Sequence, residues 1–197
     1  MSSMAPSIAD IAWPVRTARL QLRPAVPEDA DAVFAYRRLP EVSAWMTSQP
    51  TEREAWAEVF AHQERLAKTL VAELDARVVG DLMIAVQDAW SQTEVRGQAA
   101  GVQAEVGWCL DPAYQGRGLG TEAATGVLGI CFDGLGLRRV VASCFADNTA
   151  SWRLMERLGM RRELHAVGES LHRSGEWLDG LGYALLADEW RTAETRR

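Results

Sequence analysis

The sequence predicts an α/β (α+β) fold in which about seven strands form a mixed central sheet flanked by about four helices. Apolar residues switch between the two-residue period of strands and the 3.6-residue period of helices, in the order β-α-α-β-β-β-α-β-α-β-β. Residues 102–145 have the patterns of a strand, a helix and a strand, which predicts a right-handed crossover between parallel strands. Two closing strands around Arg173-Ser174-Gly175 predict an antiparallel pair. A sheet with both kinds of pairing follows.

The first half of the chain has the patterns of a strand, two helices and a hairpin. Thr51-Glu52-Arg53-Glu54 has the residues of a capping box, which predicts the start of the second helix. The predicted elements are a strand that ends at Pro24, a helix between Pro27 and Pro40, the second helix with Trp56 and Phe60 on its apolar face, and strands over 70–74 and 78–84 joined tightly at 75–77.

The second half supplies the crossover and the closing strands. Residues 87–101 are mixed polar and form either a long loop or a short helix, and loops of this length are often functional. The predicted elements that follow are a central strand over 102–110, a helix from a glycine-rich turn to Gly134, a strand over 139–145, a helix capped by Gly159, and strands over 160–167 and 177–186.

A chain of 197 residues suggests one domain. The sequence contains no internal repeat, linker or low-complexity tract. The expected organisation is therefore a loosely held N-terminal arm over residues 1–16, a single domain over 17–190 and a frayed C-terminal tail over 191–197.

The charge balance limits the partners. The chain has 21 basic and 27 acidic residues, a net charge of −6 and a sequence pI near 5.2. This argues against general binding to nucleic acid or to an anionic membrane, whereas a cationic or amine-bearing partner would suit the surface. No apolar run approaches the roughly 18 residues of a membrane span, and residues 1–10 lack the features of a signal peptide. A cytoplasmic protein is expected.

Cysteines and histidines indicate neither a disulfide framework nor a metal site. Cys109, Cys131 and Cys144 are odd in number, lack C-x-x-C spacing and fall in apolar segments, which predicts buried free thiols. The histidines show no ligand spacing such as H-E-x-x-H, so no metal is expected.

A glycine-rich turn follows the central strand. Gln115-Gly116-Arg117-Gly118-Leu119-Gly120 places three glycines at every second position just before a long helix. Glycine-rich backbone at a helix start exposes amides to a phosphate group, and the helix dipole favours the anion. The turn lacks the Gly-Lys-Ser/Thr of a Walker A loop, and its spacing differs from the G-x-G-x-x-G of dinucleotide sites. The alternative is a turn with no ligand.

Three blocks resemble the GNAT N-acetyltransferase superfamily over roughly residues 17–190. The turn is similar to that family's Gln-x-x-Gly-x-Gly/Ala pyrophosphate loop, which binds acetyl-coenzyme A (acetyl-CoA). The second block is residues 104–112 on the central strand, and the third runs from Asp147-Asn148 to Met160. The strand block over residues 104–112 and a Gly-Glu-Trp-x-Asp segment near the end are similar to the branch that acetylates ribosomal-protein N-termini.

The resemblance implies roles for individual residues. Glu105 would be the base that deprotonates the amine, Ser151 the acid that protonates the leaving thiolate, and a strand bulge near Gly107 would open the strand for the pantetheine arm. The implied cofactor-binding residues are Trp108, Cys109, Leu110, Gln115, Gly116, Arg117, Gly118, Leu119, Gly120, Thr121 and Asn148. Each role has a plainer alternative: Glu105 as a solvent-facing strand residue, Ser151 as a polar residue of a first helical turn, and Asn148 as a helix cap.

The acceptor and its binding site are what the sequence defines least. Residues 87–101 and the first two helices are expected to shape its site, with Trp45, Trp56 and Trp90 as either pocket walls or packing residues. The acceptor would be a protein N-terminal α-amine, or a small amine such as an aminoglycoside or polyamine. A non-catalytic acyl-CoA-binding module is the alternative from another class. A homodimer is expected from the family alone.

Overall fold

The computed structural model describes residues 6–194 and contains one eight-stranded mixed sheet in the order β1-β2-β3-β4-β5-β6-β8-β7. All neighbouring strands are antiparallel except β5 and β6, which are parallel. The predicted mixed sheet is therefore confirmed, with a short additional strand. The strands are β1 Val15–Arg16, β2 Gln21–Pro24, β3 Thr69–Leu74, β4 Arg77–Gln87, β5 Gln103–Leu110, β6 Arg139–Phe145, β7 Arg161–Leu171 and β8 Trp177–Leu186.

Helices cover both faces of this sheet. The α-helices are α1 Ala30–Arg37, α2 Pro40–Ser43, α3 Arg53–Phe60, α4 Gln63–Leu66, α5 Leu119–Gly129, α6 Thr149–Arg157 and α7 Ala187–Glu194. Short 3-10 helices span Ile8–Asp10, Pro27–Asp29, Thr93–Gln98 and Pro112–Tyr114, and a π-helical turn extends α5 over Ile130–Gly134. Residues 93–98 therefore follow the short-helix alternative for the 87–101 segment.

The side chains of β5 alternate between two cores. Ala104 and Val106 join the larger cluster, which includes the buried face of α5, whereas Cys109 joins the smaller cluster beneath α1 and α3. Because successive strand side chains point to opposite faces, Glu105 lies on the same face as Cys109. Glu105 thus faces the side of the sheet that carries the first helices.

The predicted N-terminal arm is attached to the domain from residue 8 onward. Ile8 is 6% exposed within the larger core, and the Trp13 indole N–H donates to the Ile8 carbonyl at 2.8 Å. Val15 and Arg16 pair with β2. The segment from Ile8 to Arg16 therefore contacts the domain, because its apolar side chains reach the core. Residues 1–5 and 195–197 lie outside the described residues, and the single domain over 17–190 remains a proposal.

Two local predictions differ from the structure. The capping box at residue 51 is wrong, because α3 begins at Arg53 and its N-cap, Glu52, makes no side-chain capping bond. Pro40 does not simply end the preceding helix, because it opens the short helix α2.

The hairpin between β3 and β4 is confirmed: Asp75 and Ala76 both have positive φ, as a two-residue type I′ turn requires.

The separation of β5 from β6 positions the candidate site. The two strands pair only between Gln103–Glu105 and Arg139–Val141, after which β6 continues alone against β8. On its other side β5 pairs with β4 along its whole length without a register shift, so the bulge predicted near Gly107 is wrong. The strand opens through divergence instead. The edge of β5 from Val106 to Leu110 has no strand partner on the β6 side.

Candidate active site

Two cavities meet where β5 and β6 diverge. One has a volume of about 560 Å³ and lies over the sheet face that carries Glu105, and the other, of about 680 Å³, extends to the glycine-rich turn. Both volumes suit a small-molecule ligand. The two cavities share five wall residues, which are Trp45, Met46, Trp108, Asn148 and Ser151. We call the first the acceptor cavity and the second the cofactor cavity.

The glycine-rich turn forms the far end of the cofactor cavity. Gly116 and Gly118 have φ of 71° and 77°, the left-handed region that glycine adopts without strain, and Gly118 is the N-cap of α5. The amides of residues 116–118 donate to no acceptor among the described residues, and the first-turn amides of α5 have no intrahelical partner. The turn therefore presents free N–H groups and a helix N-terminus to an anion.

The predicted cofactor residues divide into those that line the cofactor cavity and those that do not. The lining residues are Trp108, Cys109, Leu110, Gln115, Gly116, Gly118, Gly120, Thr121 and Asn148. The Arg117 side chain lies over the Tyr114 ring at 5.7 Å and lines neither cavity. Leu119 is 1% exposed and packs in the core, so only its backbone can face a ligand. Burial, with a smaller contribution from Asp81, raises the pKa of the Cys109 thiol to about 12.

Asn148 and Ser151 lie at the start of α6, between the two cavities. The Asn148 side-chain oxygen accepts from the Ser151 amide at 3.2 Å, so the capping alternative applies to Asn148. Burial raises the pKa of the Cys144 thiol, and the neighbouring Ser151 side chain partly opposes the shift. The cap thus holds the serine hydroxyl at the wall that both cavities share.

Glu105 lines the acceptor cavity where β5 leaves β6. Its Oε2 accepts from Gln87 Nε2 at 3.4 Å, the one hydrogen bond that its side chain makes with the described residues. The carboxylate is part-buried and open to the cavity, rather than fully solvent-facing. Such a position leaves a carboxylate oxygen available to a ligand proton.

The β7–β8 hairpin turn contacts the segment after α2, whose Trp45 and Met46 line both cavities. The His172 Nε2–H donates to the Ala44 carbonyl at 2.9 Å, and Arg173 Nη2 donates to the carbonyls of Ser43 and Met46. The His172 ring packs against Trp45, with centroids 5.8 Å apart. The β7–β8 turn therefore holds the segment after α2 over the site.

Of the three tryptophans suggested as pocket walls, Trp45 lines both cavities. Trp56 is buried and donates its indole N–H to the Ala30 carbonyl, while Trp90 is 92% exposed. No residue from 88 to 101 lines either cavity, so the acceptor role expected for residues 87–101 finds no support in the structure.

The acceptor cavity also contains charged residues that the sequence patterns did not single out. Asp81 is buried on β4 and accepts from the Tyr36 hydroxyl and from Arg37 Nε, both at 2.9 Å. Arg65 and Lys68 line the same cavity near the start of β3. In the sequence they belong to a short charged run, Gln63–Lys68, which carries no motif and resembles a solvated helix face.

The chain matches the family model described as acetyltransferase (GNAT) domain over residues 19–161. An eight-stranded sheet that opens between its parallel strands, above a glycine-rich helix start, agrees with that match. The chain belongs to the GNAT acetyltransferase family, and it is an acetyl-transferring enzyme of a family that uses acetyl-CoA.

Individual relatives support this assignment. The uncharacterized N-acetyltransferase YnaD of Bacillus subtilis is 38% identical over 86 residues, which cover 44% of this chain and 50% of YnaD. The L-amino acid N-acetyltransferase AaaT of Escherichia coli is 27% identical over 161 residues, or 80% of this chain and 92% of AaaT.

Solved structures have the same fold. A GNAT-family acetyltransferase from Bacillus anthracis superposes with a TM-score of 0.75 at 28% identity, covering 89% of this chain and 99% of that chain. Mycobacterium smegmatis RimJ, solved with CoA-disulfide, superposes with a TM-score of 0.71 at 23% identity, covering 98% of each chain.

Two further observations concern residues 6–194. No three His, Cys, Asp or Glu side chains in this range are grouped so that they would hold a metal ion. No helix in this range is both long and apolar enough to cross a membrane.

Proposed function

We propose that the protein transfers the acetyl group of acetyl-CoA directly to a primary amine, with Glu105 as the base and Ser151 as the acid. The observation that carries this proposal is the shared wall of the two cavities. Ser151 lies in that wall, Glu105 lies on the acceptor side and the glycine-rich turn lies on the cofactor side. A thioester at the junction would therefore be accessible to both side chains.

The amine must lose a proton before it attacks. An α-amine has a pKa of about 8 and a lysine-like amine one of about 10, so both are largely protonated at neutral pH. Glu105 would accept this proton, directly or through a water molecule, while Gln87 keeps the carboxylate oriented. The attack forms the new C–N bond and places negative charge on the carbonyl oxygen. Amides of the unpaired β5 edge near Trp108–Leu110 would stabilise that oxygen.

Collapse of the intermediate breaks the C–S bond and releases coenzyme A. The Ser151 hydroxyl would donate its proton to the leaving thiolate and regain one, directly or through a water molecule, from the attacking nitrogen, which loses its extra proton as the amide forms. The diphosphate would bind the free amides of residues 116–121, and the pantetheine arm would lie along the unpaired edge of β5. In this arrangement Leu119 contributes through its amide alone. Arg117 would have to leave Tyr114 to reach a phosphate.

For the acceptor we propose the α-amine of an amino-acid unit, either free or at a protein N-terminus. The motifs shared with the ribosomal-protein branch support the second form. The relative AaaT, named as an L-amino acid N-acetyltransferase, supports the first. We also propose that the protein is cytoplasmic and that it forms a homodimer.

The test is Glu105→Gln, which keeps the shape of the side chain and removes the base. We expect turnover on an amine panel to fall about tenfold or more, because a positioned base commonly contributes that much, while acetyl-CoA affinity stays within about twofold. Glu94→Gln is the control, since Glu94 lies on the exposed 3-10 helix and lines neither cavity. The measurements are steady-state release of coenzyme A and calorimetry with coenzyme A.

Unchanged turnover in Glu105→Gln would remove Glu105 from the mechanism. Tight cofactor binding by the wild type, without turnover on any amine, would instead favour the non-catalytic acyl-CoA-binding module.

A further inference from the structure

Arg65 is a half-buried cation without a hydrogen-bonded partner. It lies on α4 and lines the acceptor cavity, and its guanidinium packs over the Trp56 ring at 4.9 Å. The guanidinium forms no hydrogen bond or ion pair with any residue from 6 to 194. Most other part-buried arginines are paired: Arg23 contacts Asp29 and Glu73, and Arg37 contacts Asp81. A guanidinium removed from water needs anionic hydrogen-bond acceptors, and the described residues provide none to Arg65.

The neighbouring acidic residues do not provide an anionic partner for Arg65. Asp81 is already bound by Arg37 and by the Tyr36 hydroxyl, and Glu105 makes no ion pair or hydrogen bond with Arg65. Glu64 is exposed and makes no ion pair with Arg65 at 4.0 Å or less. Burial, and then repulsion from Arg37, lower the pKa of Arg65, and the smaller attraction of Asp81 does not reverse that shift.

A second cation reinforces the charge at this wall. Lys68 lines the same cavity and likewise makes no ion pair with a described residue. The same cavity is also lined by Glu105 and by the exposed Glu64. Among the described residues it therefore has two cations without an ion pair, together with the Glu105 carboxylate, within a volume that suits one small molecule.

The cofactor cannot account for this charge. The free amides that would hold a diphosphate are at the glycine-rich turn, at the far end of the other cavity. Arg65 and Lys68 do not line the cofactor cavity. The anion they would bind belongs to the acceptor.

We propose that the acceptor is an amine that also carries a free carboxylate, that is an α-amino acid, with its carboxylate on Arg65 and its amine directed to Glu105. This inference rests on the proposed function and narrows its acceptor. The planar guanidinium binds a carboxylate through two parallel hydrogen bonds, and Lys68 adds positive charge to the same cavity. A protein N-terminus places a neutral amide where an amino acid has its carboxylate, so it would leave Arg65 without an anion.

The first experiment requires no variant. Each L-amino acid is compared with its own carboxamide at a single pH, with release of coenzyme A as the signal. We expect at least one amino acid to exceed its carboxamide in kcat/KM by about tenfold or more, since the charge-assisted pair is lost in the amide. Equal rates for acids and amides, or a preference for the amides, would overturn the proposal.

The second experiment assigns the preference to Arg65. In Arg65→Gln the kcat/KM for the acid should fall by about tenfold or more, while that for the carboxamide stays within about twofold. Arg65→Lys should restore part of the acid rate. Arg38→Gln is the matched control, because Arg38 is also a cation over an aromatic ring, at 5.6 Å from Phe34, and lines neither cavity.

Equal losses for acid and carboxamide in Arg65→Gln would overturn the assignment of the carboxylate to Arg65. Should this variant fail to fold, Lys68→Gln and the wild-type acid-to-amide ratio still decide the substrate class. Failure of the proposed function gives a different result, in which no amine of any kind is acetylated although acetyl-CoA binds.

Discussion

Asn148 illustrates how one residue serves structure and site together. Its side-chain oxygen caps α6 by accepting from the Ser151 amide, which fixes the first turn of the helix. That turn carries the Ser151 hydroxyl at the junction of the two cavities. Through this one hydrogen bond, Asn148 can therefore both cap the helix and position Ser151.

Removing the Ser151 hydroxyl tests its proposed role as the acid. In Ser151→Ala we expect kcat to fall about tenfold or more, because the thiolate then leaves without a positioned proton donor, while acetyl-CoA affinity changes by less than about twofold. Thr149→Ala, in the same helical turn, is the control, since Thr149 is exposed and lines neither cavity. Rates are followed by release of coenzyme A. Equal activity of both variants would indicate that water protonates the thiolate.

At the scale of elements, the site depends on β5 pairing fully with β4 and only briefly with β6. Eight residue pairs join β4 to β5, whereas three join β5 to β6. This difference frees the strand edge that the pantetheine arm would use. The closeness of β4 to β5 is visible at Gly80, where an added Cβ would lie 2.6 Å from the Cys109 carbonyl oxygen.

Gly80→Ala should therefore weaken the sheet beside the cofactor cavity. The clash is with backbone, which cannot rotate away, so we expect unfolding to become easier by about 1–3 kcal/mol. Denaturant titration measures this, and acetyl-CoA affinity should fall in parallel because β5 must shift. Gly97→Ala is the control, since nothing lies within 4 Å of its added Cβ. Equal midpoints for Gly80→Ala and the wild type would contradict the packing argument.

At the scale of the whole molecule, the β7 edge of the sheet pairs with no further strand among residues 6–194. β7 is the outermost strand, and Leu164, Val167, Leu171 and Trp177 on β7 and β8 are exposed, with Val167 at 83%. An exposed strand edge with apolar side chains commonly marks an interaction surface. This is the surface that we expect a homodimer to use.

Light scattering on the purified chain tests the homodimer. We expect a molar mass of about twice the 21.7 kDa of one chain. Val167→Glu should shift the protein toward the monomer, because burying an unpaired carboxylate is unfavourable. Trp90→Ser should leave the mass unchanged, since Trp90 is exposed but belongs to the loop after β4. A wild type that stays monomeric at all concentrations would contradict the prediction.

The sequence alone determined the elements whose patterns are local. The β3–β4 hairpin, the strand Arg139–Phe145 and the glycine-rich start of α5 depend on neighbours a few residues apart, and all three were predicted correctly. The assignment to the GNAT family followed from such segments and their order. Some local predictions also failed. The capping box predicted at Thr51 does not form, because α3 begins one residue later, with Glu52 as its N-cap.

Only the tertiary structure decided which groups face each other. His172 meets Ala44 across 128 residues of sequence, and Glu105 shares a cavity with Arg65 although the two lie on different elements. That Arg65 lacks a partner while Arg37 has one is invisible in a run of charged residues. Such pairings depend on how the helices cover the sheet, because a charge is free or satisfied only relative to distant parts of the chain.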